Sequence, residues 1–112
     1  MVAEPVAGDR TDVFAALADP TRRWMVERLA RGGIATPTEL AAELPITRQA
    51  VSRHLGVLAE GGLVTARRSG REHQYQLAVA TLRGVTAWIG SIEAEWDERL
   101  AALGKLLDDS GQ

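Results

Sequence analysis

The chain has 112 residues, is 46% hydrophobic and 25% charged, and carries a net charge of −2. That suits one domain with a real core, excludes a second of similar size, and excludes wholesale disorder. Cysteine is absent, which excludes disulfides, thiolate metal sites and thiol redox sensing.

Residues 1–10 carry little apolar material and are expected to form a flexible tail ahead of a domain spanning 11–107, with 108–112 as a C-terminal tail. Thr11 is placed to cap a short helix from Asp12 to Ala18, with Phe14 and Leu17 on one face. Asp19-Pro20 is a strong helix start, Asp at the N-cap and Pro at the first turn. The second helix runs to about Arg31, buries Met25, Val26 and Leu29, and stops at Gly32-Gly33. Thr36-Pro37-Thr38-Glu39 spells a capping box opening a third helix through Leu44, with Leu40 and Leu44 inward. Pro45 ends it, Ile46 serves the core of the turn, and Thr47 caps a fourth helix from Arg48 to about Glu60, closed by Gly61-Gly62.

The hydrophobic period then changes from helical to alternating. Leu63–Arg68 and Glu72–Leu77 read as two strands of a hairpin turning through Ser69-Gly70-Arg71. From Val79 to Leu107 a long helical pattern returns, with Leu82, Val85, Ile89, Ile92, Trp96, Leu100, Leu103 and Leu107 three or four apart. The fold class is therefore mainly α with one small β-hairpin, in the order α-α-α-α-β-β-α, the arrangement of a winged helix-turn-helix. No apolar run approaches the roughly 20 residues that cross a bilayer, and Met1–Arg10 lacks a signal-peptide apolar segment, so a cytoplasmic protein with no membrane partner is expected.

Function is concentrated in the middle of the chain. Residues 20–75 hold nine Arg (22, 23, 28, 31, 48, 53, 67, 68 and 71) against five Glu (27, 39, 43, 60 and 72), while both flanks are acidic. At about 100° per residue the fourth helix divides into two faces. Val51, Leu55 and Leu58 face the core, whereas Gln49, Ser52, Arg53 and Gly56 lie opposite, with Arg48 at the leading edge. A solvated face without a task usually carries Glu–Lys pairs. This one carries the donors that read base edges and phosphates, beside a helix N-terminus that attracts anions. The hairpin adds Arg67, Arg68 and Arg71, a basic wing.

Leu17-Ala18-Asp19-Pro20-Thr21-Arg22-Arg23, the run Ile46-Thr47-Arg48-Gln49-Ala50-Val51-Ser52-Arg53-His54-Leu55, the exit Gly62-Leu63-Val64 and the wing end Tyr75-Gln76-Leu77 resemble the ArsR-type winged-helix repressors over about residues 11–107. The resemblance implies a homodimeric repressor of double-stranded operator DNA. Thr47, Arg48, Gln49, Ser52 and Arg53 would lie on the reading helix, with Arg67, Arg68 and Arg71 on the wing. It also implies a dimer through the first and last helices, on Phe14, Leu17, Leu82, Val85, Ile89, Ile92, Trp96, Leu100 and Leu103. His54 matches a frequent family histidine, but its place beside the core face makes it a packing and hydrogen-bonding residue rather than a base reader.

Metal-responsive relatives carry cysteines on the helix here spelled Glu39-Leu40-Ala41-Ala42-Glu43-Leu44, or His and acids on the last helix. With no cysteine, and with His54 and His73 both outside the last helix, neither a metal site nor a cofactor is expected, and the resemblance is to the metal-free branch. Trp24 is left open between packing on the terminal helices and lining a cavity for a small-molecule effector. Three other readings have discriminators. An enzyme would need a nucleophile, a His with a carboxylate partner, or a phosphate loop, and none is evident. A winged-helix protein-interaction module would carry apolar anchors where Gln49, Ser52 and Arg53 stand. A single-strand binder would need aromatic platforms, yet the wing's one aromatic, Tyr75, alternates inward with Leu77.

Overall fold

In the computed structural model, which describes residues 10–110, the second, third and fourth helices each begin on a residue whose side chain accepts one of the free N–H groups of the first turn. Helix α1 (Thr11–Leu17) does not: its N-cap is Arg10, with no side-chain cap bond, so Thr11 is the first helical residue and not the cap. Helix α2 (Pro20–Gly32) starts on Asp19, whose carboxylate accepts the Arg22 N–H at 3.0 Å, and ends on Gly33 at φ 73°. Helix α3 (Pro37–Ala41) has the capping box complete in both directions between Thr36 and Glu39. It stops short of the expected Leu44: Glu43 and Leu44 donate to carbonyls three residues back, a tightened turn ahead of Pro45. The expected tail at 1–10 lies, but for Arg10, outside the described residues.

Helix α4 (Arg48–Glu60) opens on Thr47, whose hydroxyl accepts the Ala50 N–H at 3.1 Å. It closes in a Schellman arrangement: Leu63 N–H donates to Leu58, Gly62 N–H to Ala59, and Gly62 supplies the left-handed φ of 75°. Leu58 and Leu63, the apolar pair flanking that motif, are both fully buried.

Strands β1 (Val64–Ser69) and β2 (Glu72–Leu77) pair antiparallel, Val64 opposite Leu77 and Ser69 opposite Glu72. Only Gly70 and Arg71 lie between them, a shorter loop than the expected Ser69–Arg71. Gly70 has φ 63° and Arg71 a negative φ, the type II′ pattern that matches strand twist. Ala35 pairs with Tyr75 on the free edge of β2, with N–H···O distances of 3.0 and 2.8 Å, which fixes the α2–α3 connection to the hairpin.

The chain divides into two units at Leu82 and Arg83. The first has its core in Val13 and Ala16 of α1, Met25 and Leu29 of α2, Ala35, Leu40 of α3, Val51, Leu55 and Leu58 of α4, and Leu63 and Val64. Val26, Leu44 and Ile46, expected inside, are half-buried. The second unit is helical: α5 (Val79–Ser110) begins in the first unit and continues without a break, three residues past the expected end at Leu107. None of its residues is buried.

Candidate nucleic-acid interface

The two faces of α4 separate as its periodicity requires. Val51, Leu55 and Leu58 have no exposed surface, while Arg48, Gln49, Ser52, Arg53 and Gly56 are exposed. A Cβ built on Gly56 would meet nothing within 4 Å, so that face is open at this position. Thr47 is exposed too, and its capping bond uses a hydroxyl lone pair, leaving the hydroxyl proton able to donate.

The wing residues Arg67, Arg68 and Arg71 are all exposed, but the register parts them. Successive strand residues point to opposite faces. Arg67 stands opposite Gln74, and both line a shallow hollow with Ile34, Thr65 and Gln76. Arg68 stands opposite His73 on the other face. The three arginines therefore form no single cluster: the two faces and the turn each carry one.

Glu72, at the tip of the wing beside the turn, escaped sequence reasoning. Its Oε1 accepts the Thr38 hydroxyl at 2.7 Å and lies 3.9 Å from Nη1 of Arg48. A carboxylate from β2 thereby stands between α3 and the first residue of α4. No local spacing signals this contact, because it depends on how the hairpin folds back.

Behind α4 a second polar group joins three helices. Arg22 donates from Nε to the Ala16 carbonyl at 2.7 Å and from Nη2 to the Ala15 carbonyl at 3.2 Å, the latter also accepting the Ala18 N–H, so one guanidinium binds the carbonyls at the end of α1. Arg23 does the same for Leu17 at 2.8 Å. Nη1 of Arg22 reaches Nδ1 of the half-buried His54 at 3.4 Å, and Asp19 Oδ2 lies 4.0 Å from the same nitrogen. Where the sequence offered no histidine with a carboxylate partner, the fold supplies an acidic neighbour. Asp19 is committed elsewhere, however: the Arg22 N–H above all, then the charges of Arg22 and His54, hold its carboxyl below the ordinary value despite some desolvation. This is the hydrogen-bonding role expected of His54.

The residues expected at a dimer contact are accessible in the single chain. Phe14 is exposed and Leu17 half-buried, while Val13 and Ala16 form the inward face of α1. On α5, Leu82 and Val85 are half-buried and Ile89, Ile92, Trp96, Leu100 and Leu103 are exposed, Trp96 at 57%. Trp24 is half-buried. Among the described residues no three His, Cys, Asp or Glu gather as a metal site, and no helix is long and apolar enough to cross a membrane.

Comparison with known proteins agrees with this geometry. A family model described as a helix-turn-helix domain matches residues 17–67. The HTH-type transcriptional regulator Rv2034 of Mycobacterium tuberculosis is 43% identical over 98 residues, covering 88% of each chain. The transcriptional repressor SdpR of Bacillus subtilis is 31% identical over 78 residues, 70% of this chain and 86% of that one. Among solved structures, an ArsR-like transcriptional regulator from Rhodococcus sp. RHA1 superposes with a TM-score of 0.77 at 39% identity, covering 89% of this chain and 92% of that one. The chain belongs to the ArsR-type winged helix-turn-helix transcriptional regulators.

Proposed function

We propose that the chain is a cytoplasmic repressor that binds an inverted-repeat operator in double-stranded DNA as a homodimer. The observation that carries this is the exposed face of α4: Arg48, Gln49, Ser52 and Arg53 stand opposite a fully buried apolar face. A helix of this kind fits the major groove, where Arg pairs with guanine O6 and N7 and Gln with adenine N6 and N7. Arg67, Arg68 and Arg71 supply phosphate contacts from the wing. Dimerisation is supported by the apolar stripe of α5, where Ile92, Trp96, Leu100 and Leu103 are each 45% exposed or more, too large a surface for a lone soluble chain to leave open. Two-fold symmetry then sets the half-sites about 34 Å apart, or a multiple of that.

The test begins with the duplex that the full chain selects from a random pool, set against a scrambled duplex of the same composition. Gln49→Ala or Arg53→Ala loses about 1–3 kcal/mol on the selected duplex and much less on the scrambled one. Arg71→Ala weakens both alike and lowers the salt slope by roughly one unit. If Gln49→Ala and Arg53→Ala leave the ratio of the two affinities unchanged, α4 is not the reader.

A further inference from the structure

Glu72 is an acidic group in the wrong place for a surface that attracts phosphates. It stands at the tip of the wing, next to the turn, with its carboxylate beside the first residue of α4, and it is not loosely placed. The 2.7 Å hydrogen bond from Thr38 pins its Oε1, so the carboxylate is held by α3 as well as by its own strand. Its contact with Arg48 is of another kind: 3.9 Å is an attraction of charges without a short hydrogen bond, and the Arg48 side chain is 58% exposed. Arg48 is thus oriented by Glu72 but free to leave it for a better partner.

The two partners a duplex can offer Arg48 differ in charge. A phosphate is an anion and must approach the fixed Glu72 carboxylate to reach the guanidinium. The acceptor edge of a guanine is neutral and carries no such penalty, while giving Arg48 a bidentate partner. A carboxylate at this spot therefore subtracts more from sequence-independent binding than from base reading. We propose, resting on the DNA-binding reading above, that Glu72 is a specificity-determining residue. Pinned by Thr38, it aims Arg48 at base edges and disfavours its use as a general phosphate contact.

Glu72→Gln tests this, since the amide keeps an acceptor for Thr38 and loses only the charge. Affinities are measured for the selected and scrambled duplexes over a range of salt, with the unfolding temperature recorded alongside. The scrambled duplex is expected to tighten roughly three- to fivefold more than the selected one, the scale of one exposed charge pair. Its salt slope should steepen by roughly 0.9 unit as Arg48 takes up a phosphate. Both changes should vanish when Glu72→Gln is made in an Arg48→Ala background. Arg48→Ala alone gives a second reading that does not need the Glu72 variant to fold: it should weaken the selected duplex while the salt slope on the scrambled duplex does not move. The proposal is overturned if Glu72→Gln shifts both duplexes equally, as a mere strut would. It is also overturned if Glu72→Gln shifts neither, or if Arg48→Ala lowers the scrambled-duplex slope. A wild-type chain that enriches no sequence at all defeats the DNA reading and this inference together. A wild type that selects normally, with a Glu72 variant that discriminates equally well, defeats the inference alone.

Discussion

Gly61 is where the close approach of α1 to the end of α4 can be probed with a single methyl group. It is buried, and its φ of −78° is open to any residue, so Gly61→Ala meets no backbone penalty. The added Cβ would lie 2.9 Å from the Asp12 carbonyl oxygen and 3.2 Å from Ala16 Cβ, both on α1. The nearer atom is backbone within a helix, so no rotamer change relieves the contact, and α1 must shift as a body. Overpacking of this kind costs about 1–3 kcal/mol, against a helix-propensity gain of at most about 1 kcal/mol at this terminal position. The net is a loss on the order of 1–2 kcal/mol, or roughly 4–8 °C in unfolding temperature for each kcal/mol in a domain of this size. Thermal and urea unfolding should be compared with wild type at one fixed protein concentration, because the dimer proposed above would make apparent stability depend on concentration. An unfolding temperature equal to or above that of wild type would show that α1 does not press on Gly61, and would refute the packing described between α1 and α4.

Gly56→Ala on the opposite side of α4 should do the reverse: with nothing within 4 Å of the new Cβ, it should stabilise the fold by about 1 kcal/mol. The same methyl stands on the groove face, so affinity for the selected duplex should fall even as unfolding temperature rises, which gel-shift titration and calorimetry together would register. Asp19 predicts an acid limit, since its folded pKa lies below the ordinary 3.8: the stability it adds is fully present above that value and is lost as pH falls through the lowered one. Asp19→Asn keeps a capping oxygen without the titration, so urea unfolding from neutral to acid pH should show the stability gap between wild type and variant closing below pH 3.8. Zinc or a chelator should leave DNA affinity unchanged, and a shift of about tenfold with either would refute the metal-free reading.

Much of this fold was legible because its signals are local. Asp19-Pro20, Thr36–Glu39 and Thr47 each cap a helix from within its own first turn, and all three do so as their spelling requires. Arg10 in place of Thr11 at the start of α1, and the early end of α3 at Ala41, were not legible for the same reason. Neither boundary is marked by a side-chain cap, and the end of α3 is set by a tightened turn, which hydrophobic spacing does not encode. The exposed polar face of α4 followed from the helical period alone, since it is the complement of the buried Val51, Leu55 and Leu58. The wing was only half legible: three arginines within five positions looked like one cluster, but strand alternation sends Arg67 and Arg68 apart. Alternation follows from the strand alone, but the partners Gln74 and His73 depend on the register, which is set by a two-residue turn rather than the three-residue one expected.

The polar groups that sequence could not place share one property: each closes between elements far apart in the chain. Arg22 binds the terminal carbonyls of α1 and reaches His54 on α4. Glu72 joins β2 to α3 and to the leading arginine of α4. The first group lies behind the reading helix and the second at its N-terminus, so α4 is held from both sides by side chains belonging to other elements. A recognition helix positioned only by its apolar face could rotate or slide against the core with little change in buried area, because the hydrophobic effect is non-directional. Hydrogen bonds are directional, and the one between Arg22 and His54 adds a directional tie to the placement that the apolar face provides. In this fold the core therefore supplies the stability of α4, while the flanking polar contacts orient it, and under the DNA-binding reading proposed above discrimination among bases would depend on that orientation.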